Sequence, residues 1–168
     1  MPVGTRRSFV TLLQAAYSGE LAAARAYHGH WRSVHDEQDR AEIQRIEQAE
    51  LHHRRLVGEM LAELGAGPAR WRELLMGTIG RSAGAMCHVS GRFLPMYVAG
   101  WLEAINVNQY ATGATHASAL GLDHFLVDLR DMVEEEQRHE RFFAARAAGH
   151  RLLPVVRWVG RWDPDRVS

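Results

Sequence analysis

The stretch IQRIEQAELHHRRLVGEM, residues 43–60, sets Ile43, Ile46, Glu50, His53, Val57 and Met60 at the 3-4-3-4-3 spacing of one helix face. A carboxylate and an imidazole three residues apart thus lie in the middle of an apolar stripe. LRDMVEEEQRHERFF, residues 129–143, does the same with Leu129, Met132, Glu136, His139 and Phe143. The pair Glu-x-x-His therefore occurs twice, at Glu50/His53 and Glu136/His139. With thirteen Glu and ten His in 168 residues, about one such pair is expected by chance, so the motif decides little by itself. Its position on a core-facing stripe does decide something, because that placement is expensive without a reason.

Working outward, two further helices carry one carboxylate each in the same setting. Leu13, Tyr17, Glu20, Ala24 and Tyr27 share a face, as do Met96, Ala99, Glu103, Val107 and Tyr110. The chain thus presents Glu, Glu-x-x-His, Glu, Glu-x-x-His in order. Glu20 and Glu50 are 30 residues apart, and Glu103 and Glu136 are 33.

The spacing predicts helices over about 5–33, 36–65, 91–120 and 123–149, with no alternating strand pattern. Asp36 or Asp39 is the expected N-cap of the second helix and Asp123 of the fourth long one. Gly65-Ala66-Gly67-Pro68 breaks the chain, and Pro68 suits the first turn of the next helix. Residues 69–90 read as a shorter glycine-containing helical segment, and 152–162 as a short amphipathic helix. Pro95 is tolerable only in a first turn. The reading is all-α, a single domain over residues 1–168 with a core over about 5–149.

Four ionised carboxylates in one core oppose folding, each by several kcal/mol, unless they are neutralised. Four carboxylates and two neutral imidazoles match two divalent cations. Oxygen ligands with a little imidazole suit iron or manganese, and no Cys belongs to the set. The metal set predicted is Glu20, Glu50, His53, Glu103, Glu136 and His139. Four helices supplying these ligands in this order resemble the ferritin-like di-iron and di-manganese carboxylate bundles. His28, His30, His35, His88, His116, His124 and His150 have no Glu three residues upstream and are expected at the surface or around the ligands.

Composition narrows the classes. Formal net charge is zero, all twenty basic residues are Arg, and no basic stripe is evident, which argues against a nucleic-acid partner. The single Cys87 excludes an internal disulfide and fits a reducing, cytoplasmic setting. Thr5-Arg6-Arg7-Ser8-Phe9-Val10 is similar to a twin-arginine start, but Gln14 interrupts the apolar run. Cleavage near Ala16 or Gly19 would also cut into the Glu20 helix, so export is not expected. No eighteen-residue apolar run suggests a membrane span.

The motifs also resemble those of the demethoxyubiquinone hydroxylase family over roughly residues 10–145. Ser18-Gly19-Glu20 followed by Arg25 and Tyr27 is similar to its first motif, Glu50-Leu51-His52-His53 to its second and Glu136-Gln137-Arg138-His139 to its fourth. In the third, Glu103 and Tyr110 match while Gln109 stands where the family has His. The resemblance implies a ferritin-like four-helix bundle holding two iron ions bridged by Glu50 and Glu136. It also implies a monooxygenase that hydroxylates a lipophilic, quinone-type small molecule with O₂ and an external electron donor, in quinone biosynthesis. Tyr27 and Tyr110 would hydrogen-bond ligands or steer electrons; as ordinary core tyrosines they would only reach a polar partner.

Over residues 72–100 Leu74, Leu75, Met76, Ile79, Met86, Phe93, Leu94, Met96 and Tyr97 alternate with Arg81, His88 and Arg92. With the Trp158 and Trp162 tail, this composition fits peripheral contact with the inner membrane face, a grip on lipophilic substrate, or ordinary packing. The same surface is one on which a homodimer could form. The alternative activity is a rubrerythrin-like oxidase or peroxidase handling O₂, H₂O₂ or Fe(II), although one cysteine cannot build the electron-transfer module such proteins usually carry. Complete ligands argue against an interaction module with vestigial residues.

Overall fold

The computed structural model describes residues 3–167, which are mostly helical with no strand among them. Six helices follow in order: α1 (Val3–Ser33), α2 (Glu37–Glu63), α3 (Arg70–Met86), α4 (Phe93–Ala119), α5 (Leu126–Ala147) and α6 (Leu153–Gly160). Short 3₁₀ turns cover Asp123–Phe125 and Pro164–Arg166.

The chain's capping chemistry explains most boundaries. Asp36 caps α2, its side chain accepting from the Asp39 amide at 2.9 Å. Asp39 is instead buried, gripped by Arg92 and Arg146 at 2.9 Å each. Helix α2 ends as Gly65 turns left-handed, with the Ala66 amide reaching back to the Leu61 carbonyl. Gly121 closes α4 in the same way. Three expectations need correction. Asp123 opens a 3₁₀ turn, so α5 starts later, at Leu126, without a side-chain cap. Pro68 lies before Ala69, the N-cap of α3, rather than in its first turn. The C-terminal helix stops at Gly160, and left-handed Arg161 turns Trp162 inward against Gly100 and Tyr97. Pro95 occupies the first turn of α4, as expected.

Helices α1, α2, α4 and α5 surround one interior, with α1 packed on α2 and α4 on α5. Short connections make each of those pairs antiparallel. Cross-links fix the other two neighbours: Phe9 meets His116 and Tyr27 meets Glu103 between α1 and α4. His53 meets Glu136 and Asp39 meets Arg146 between α2 and α5. These pairs are antiparallel too, so α2 and α4 run parallel and their connection must travel the length of the molecule. Helix α3 makes that journey along α1. It lies close because Gly77, Gly80 and Gly84 face α1 and are buried. A Cβ on Gly80 would stand 2.3 Å from the Ala22 carbonyl oxygen.

The core is layered. Phe9, Leu13, Val57, Leu61, Leu129 and Met132 belong to one apolar cluster. Tyr27, Ile43, Ile46, Met96 and Phe143 belong to another. The six predicted ligands lie between them along all four helices. The segment similar to a twin-arginine start belongs to α1, with Phe9 fully buried. No described helix is long and apolar enough to cross a membrane.

Candidate metal centre

Each of the six carboxylate and imidazole side chains comes from the middle of a long helix, where the flanking apolar residues of its own face fix its direction. Glu20, Glu50, His53, Glu103, Glu136 and His139 are all buried. They form two overlapping quartets, Glu20/Glu50/His53/Glu136 and Glu50/Glu103/Glu136/His139, with ligand atoms within 4.8 Å of one another in each. Glu50 and Glu136 are common to both. Two cations held by these groups would therefore share two carboxylates and each keep one terminal carboxylate and one imidazole.

Both imidazoles turn Nδ1 towards the shared carboxylates. His53 Nδ1 is 3.1 Å from Glu136, and His139 Nδ1 is 3.4 Å from Glu50 and 3.6 Å from Glu136. On its far edge His53 Nε2 lies 3.0 Å from Glu135. A hydrogen held there by Glu135 leaves the Nδ1 lone pair facing the centre. Two tyrosines complete the surroundings crosswise: Tyr27 of α1 donates to Glu103 of α4, and Tyr110 of α4 donates to Glu20 of α1. Each terminal carboxylate thus has one oxygen held by a phenol and the other turned to the centre.

Eight buried polar side-chain atoms lack a hydrogen-bond partner among the described residues, and all belong to the six ligands. They include both oxygens of Glu50 and of Glu136 and the Nδ1 atoms of His53 and His139. Such atoms are costly in an apolar core, and here they converge on two points. The donor set therefore fits a pair of divalent cations.

The electrostatics express the same crowding. Burial, with repulsion from the other carboxylates, pushes Glu50 and Glu103 well above the usual range, and burial raises Glu20. Burial also opposes ionisation of Glu136, but Glu103, His139 and His53 hold it below that range. At His53 burial is overcome by Glu136, Glu20 and Glu135, which lift it to about 9. Burial and facing carboxylates push Tyr27 and Tyr110 well above the ordinary phenol value.

Gln109 reaches the Leu12 carbonyl across the α1–α4 seam at 3.5 Å. Two residues around the centre were not singled out by sequence. Glu135 is visible only once α2 and α5 are paired. His30 is buried among Tyr27 and Phe143, with ring centroids at 6.4 and 6.1 Å. The signal available for His30 was its place one turn beyond Tyr27.

Beside Tyr27 lies an apolar cavity of about 250 Å³ between α1, α3 and α4. Tyr27 and Ala99 form its inner wall, and Met86, Leu94, Val98 and Leu102 its outer rim. The same rim residues are exposed, in line with Leu74 (76% exposed), Leu75 and Ile79 of α3. Phe93, Met96 and Tyr97, by contrast, are core residues. Compared with protein-family models, curated proteins and solved structures, the chain finds no match in any of the three.

Proposed function

We propose that this chain is a ferritin-like, four-helix-bundle di-iron protein that hydroxylates a lipophilic small molecule with O₂. The observation carrying the reading is the pair of overlapping quartets that share Glu50 and Glu136. In this reading, Glu20 and His53 serve one iron and Glu103 and His139 the other, manganese being the alternative metal. The metals supply reduction of O₂: one oxygen atom enters a substrate C–H bond and the other leaves as water, with two electrons and two protons from an external donor.

The chain's own residues bind, orient and exclude water. The apolar clusters on either side keep bulk water from the ligands. Tyr27 and Tyr110 hold one oxygen of Glu103 and of Glu20, so that the other points inward. The cavity on the far side of Tyr27 supports an organic substrate, for which an oxidase of O₂, H₂O₂ or Fe(II) has no use. A quinone-type ring, and a role in quinone biosynthesis, would suit its size and lining. The exposed apolar rim on α3 and α4 supports peripheral contact with a membrane surface, where such substrates reside; it would equally serve a homodimer.

The test is metal content and oxygen uptake on protein purified anaerobically and reconstituted with Fe(II). About two iron per chain are expected, absent in Glu50→Ala, with oxygen consumption that rises on adding a lipophilic quinone or phenol. Stoichiometric iron with substrate-independent consumption would turn the reading to the oxidase. No stoichiometric metal in wild type would end it.

A further inference from the structure

We propose that His30 is the specificity-determining residue of the α1–α3–α4 cavity: its imidazole hydrogen-bonds one neutral oxygen substituent of an otherwise apolar ligand and so fixes which end of that ligand faces Tyr27. The proposal rests on the hydroxylase reading for its chemistry, while its observations concern the cavity alone.

The cavity wall is almost wholly apolar, with Ala23, Ala26, Ala99, Val98, Leu94 and Met86 among its lining residues. His30 is the one imidazole in that wall and is only 3% exposed. Tyr27 and Phe143 lie near-parallel to its ring, with centroids 6.4 and 6.1 Å away. Its ring nitrogens have no hydrogen-bond partner among the described residues; only its backbone carbonyl is engaged, by Ser33. The imidazole lines an apolar cavity, and its nitrogens, which lack a protein partner, are not among the fully enclosed polar atoms, so they are open to a ligand.

Charge selects the kind of ligand. Burial, partly offset by Asp39, holds His30 at about 4, so at neutral pH it offers one donor and one acceptor and no charge. Asp39 itself is occupied by Arg92 and Arg146. Nothing on that wall therefore compensates a cationic or anionic ligand, and a phenol hydroxyl or a carbonyl is what the imidazole accommodates. Size selects further. A cavity of about 150 Å³ accommodates benzene, so about 250 Å³ takes one ring with short substituents. A longer apolar tail would continue along Leu94, Val98 and Leu102, which line the cavity and are also exposed.

The experiment compares 4-butylphenol with butylbenzene, which differ by the one oxygen, on wild type and His30→Phe. Cys87 is the only thiol and lines this cavity and the adjoining hollow beside His35 and Arg92, so slowed alkylation by iodoacetamide at mildly alkaline pH reports binding beside His30. Wild type is expected to prefer the phenol by about fivefold to tenfold, the size of one buried hydrogen bond. In His30→Phe that preference should vanish while the hydrocarbon binds as before. His30→Gln, which keeps a donor and an acceptor, should retain part of the preference and guards against misreading a folding defect. Equal binding of the two probes to wild type, a preference surviving in His30→Phe, or no protection of Cys87 by either probe overturns the proposal. The measurement needs neither iron nor O₂. Its failure is thus distinct from failure of the hydroxylase reading, which metal content and oxygen uptake decide.

Discussion

Glu135 and Glu136 are consecutive on α5, yet they approach His53 from opposite edges of its ring, at 3.0 and 3.1 Å. One carboxylate fixes the imidazole, and the other would share a metal with it. His139 is slightly more exposed, and among the described residues no carboxylate pairs with the far edge of its ring. The two halves of the centre are therefore unequal in support. Removing the negative charge at Glu135 should weaken metal binding chiefly in the Glu20/His53 half. For Glu135→Gln we expect about a tenfold loss in one of two binding steps, with the other step within twofold. Anaerobic Co(II) titration followed by visible absorption reads both steps. Equal weakening of both, or of neither, would count against an orienting role. Glu135 could not be chosen from sequence: it sits in a run of three glutamates, and only the α2–α5 pairing separates the ligand Glu136 from its neighbour.

At the scale of elements, the α1–α3 contact sets two expectations against each other. Glycine is a poor helix residue, so Gly80→Ala should add up to about 1 kcal/mol by propensity alone. Its Cβ, however, would stand 2.3 Å from the Ala22 carbonyl oxygen and 2.7 Å from the Ala22 Cα, and backbone cannot step aside. Overpacking should win, for a net loss of about 1–3 kcal/mol. Gly19→Ala is the control, since its Cβ would meet nothing within 4 Å and should stabilise by about 0.5–1 kcal/mol. Urea denaturation of the two variants would check the opposite signs; a stabilised Gly80→Ala would show that α3 is free to move off α1.

The same contact shows where legibility ended. Helices α2 and α5 were plain in sequence because ligands and core residues share one 3-4 rhythm, and the interior is built from that face. The glycines of α3, Gly77, Gly80 and Gly84, keep the same 3-4 spacing, but what they serve is the absence of a side chain, so a pattern of apolar side chains does not show them. Asp123 misled because a good capping residue was available three residues before the helix begins, and the chain used a 3₁₀ turn instead. Trp162 read as part of an amphipathic helix; its inward turn depends on Gly100, sixty-two residues earlier, leaving room for the ring. Trp158, 85% exposed, kept the surface position that its composition suggested.

For the whole molecule, a layer of candidate ligands between two apolar clusters would make folding and metal binding one equilibrium. Without metal, burial keeps Glu20, Glu50 and Glu103 above their unfolded values, so the folded chain favours their neutral forms. A group whose folded value is raised stabilises fully below its unfolded value and loses that contribution as pH climbs through the folded one. His53, lifted to about 9, behaves likewise. Glu136, held low, and His30, held at about 4, have both reached their full contribution by pH 7 and do not change above it. The chelated protein should therefore lose stability from pH 7 to 9, whereas bound divalent metal neutralises the same carboxylates and removes that slope. Mass action at a hundred times the dissociation constant stabilises by about 2.7 kcal/mol per site. With two sites, saturating Fe(II) or Mn(II) should raise the melting temperature at pH 7 by about 10–20 °C, and by more at pH 9. Anaerobic thermal denaturation at both pH values, with and without chelator, measures the two differences. A metal shift that shrinks as pH rises, or a chelated protein whose stability does not change between pH 7 and 9, would mean that the buried carboxylates are not what the metals neutralise.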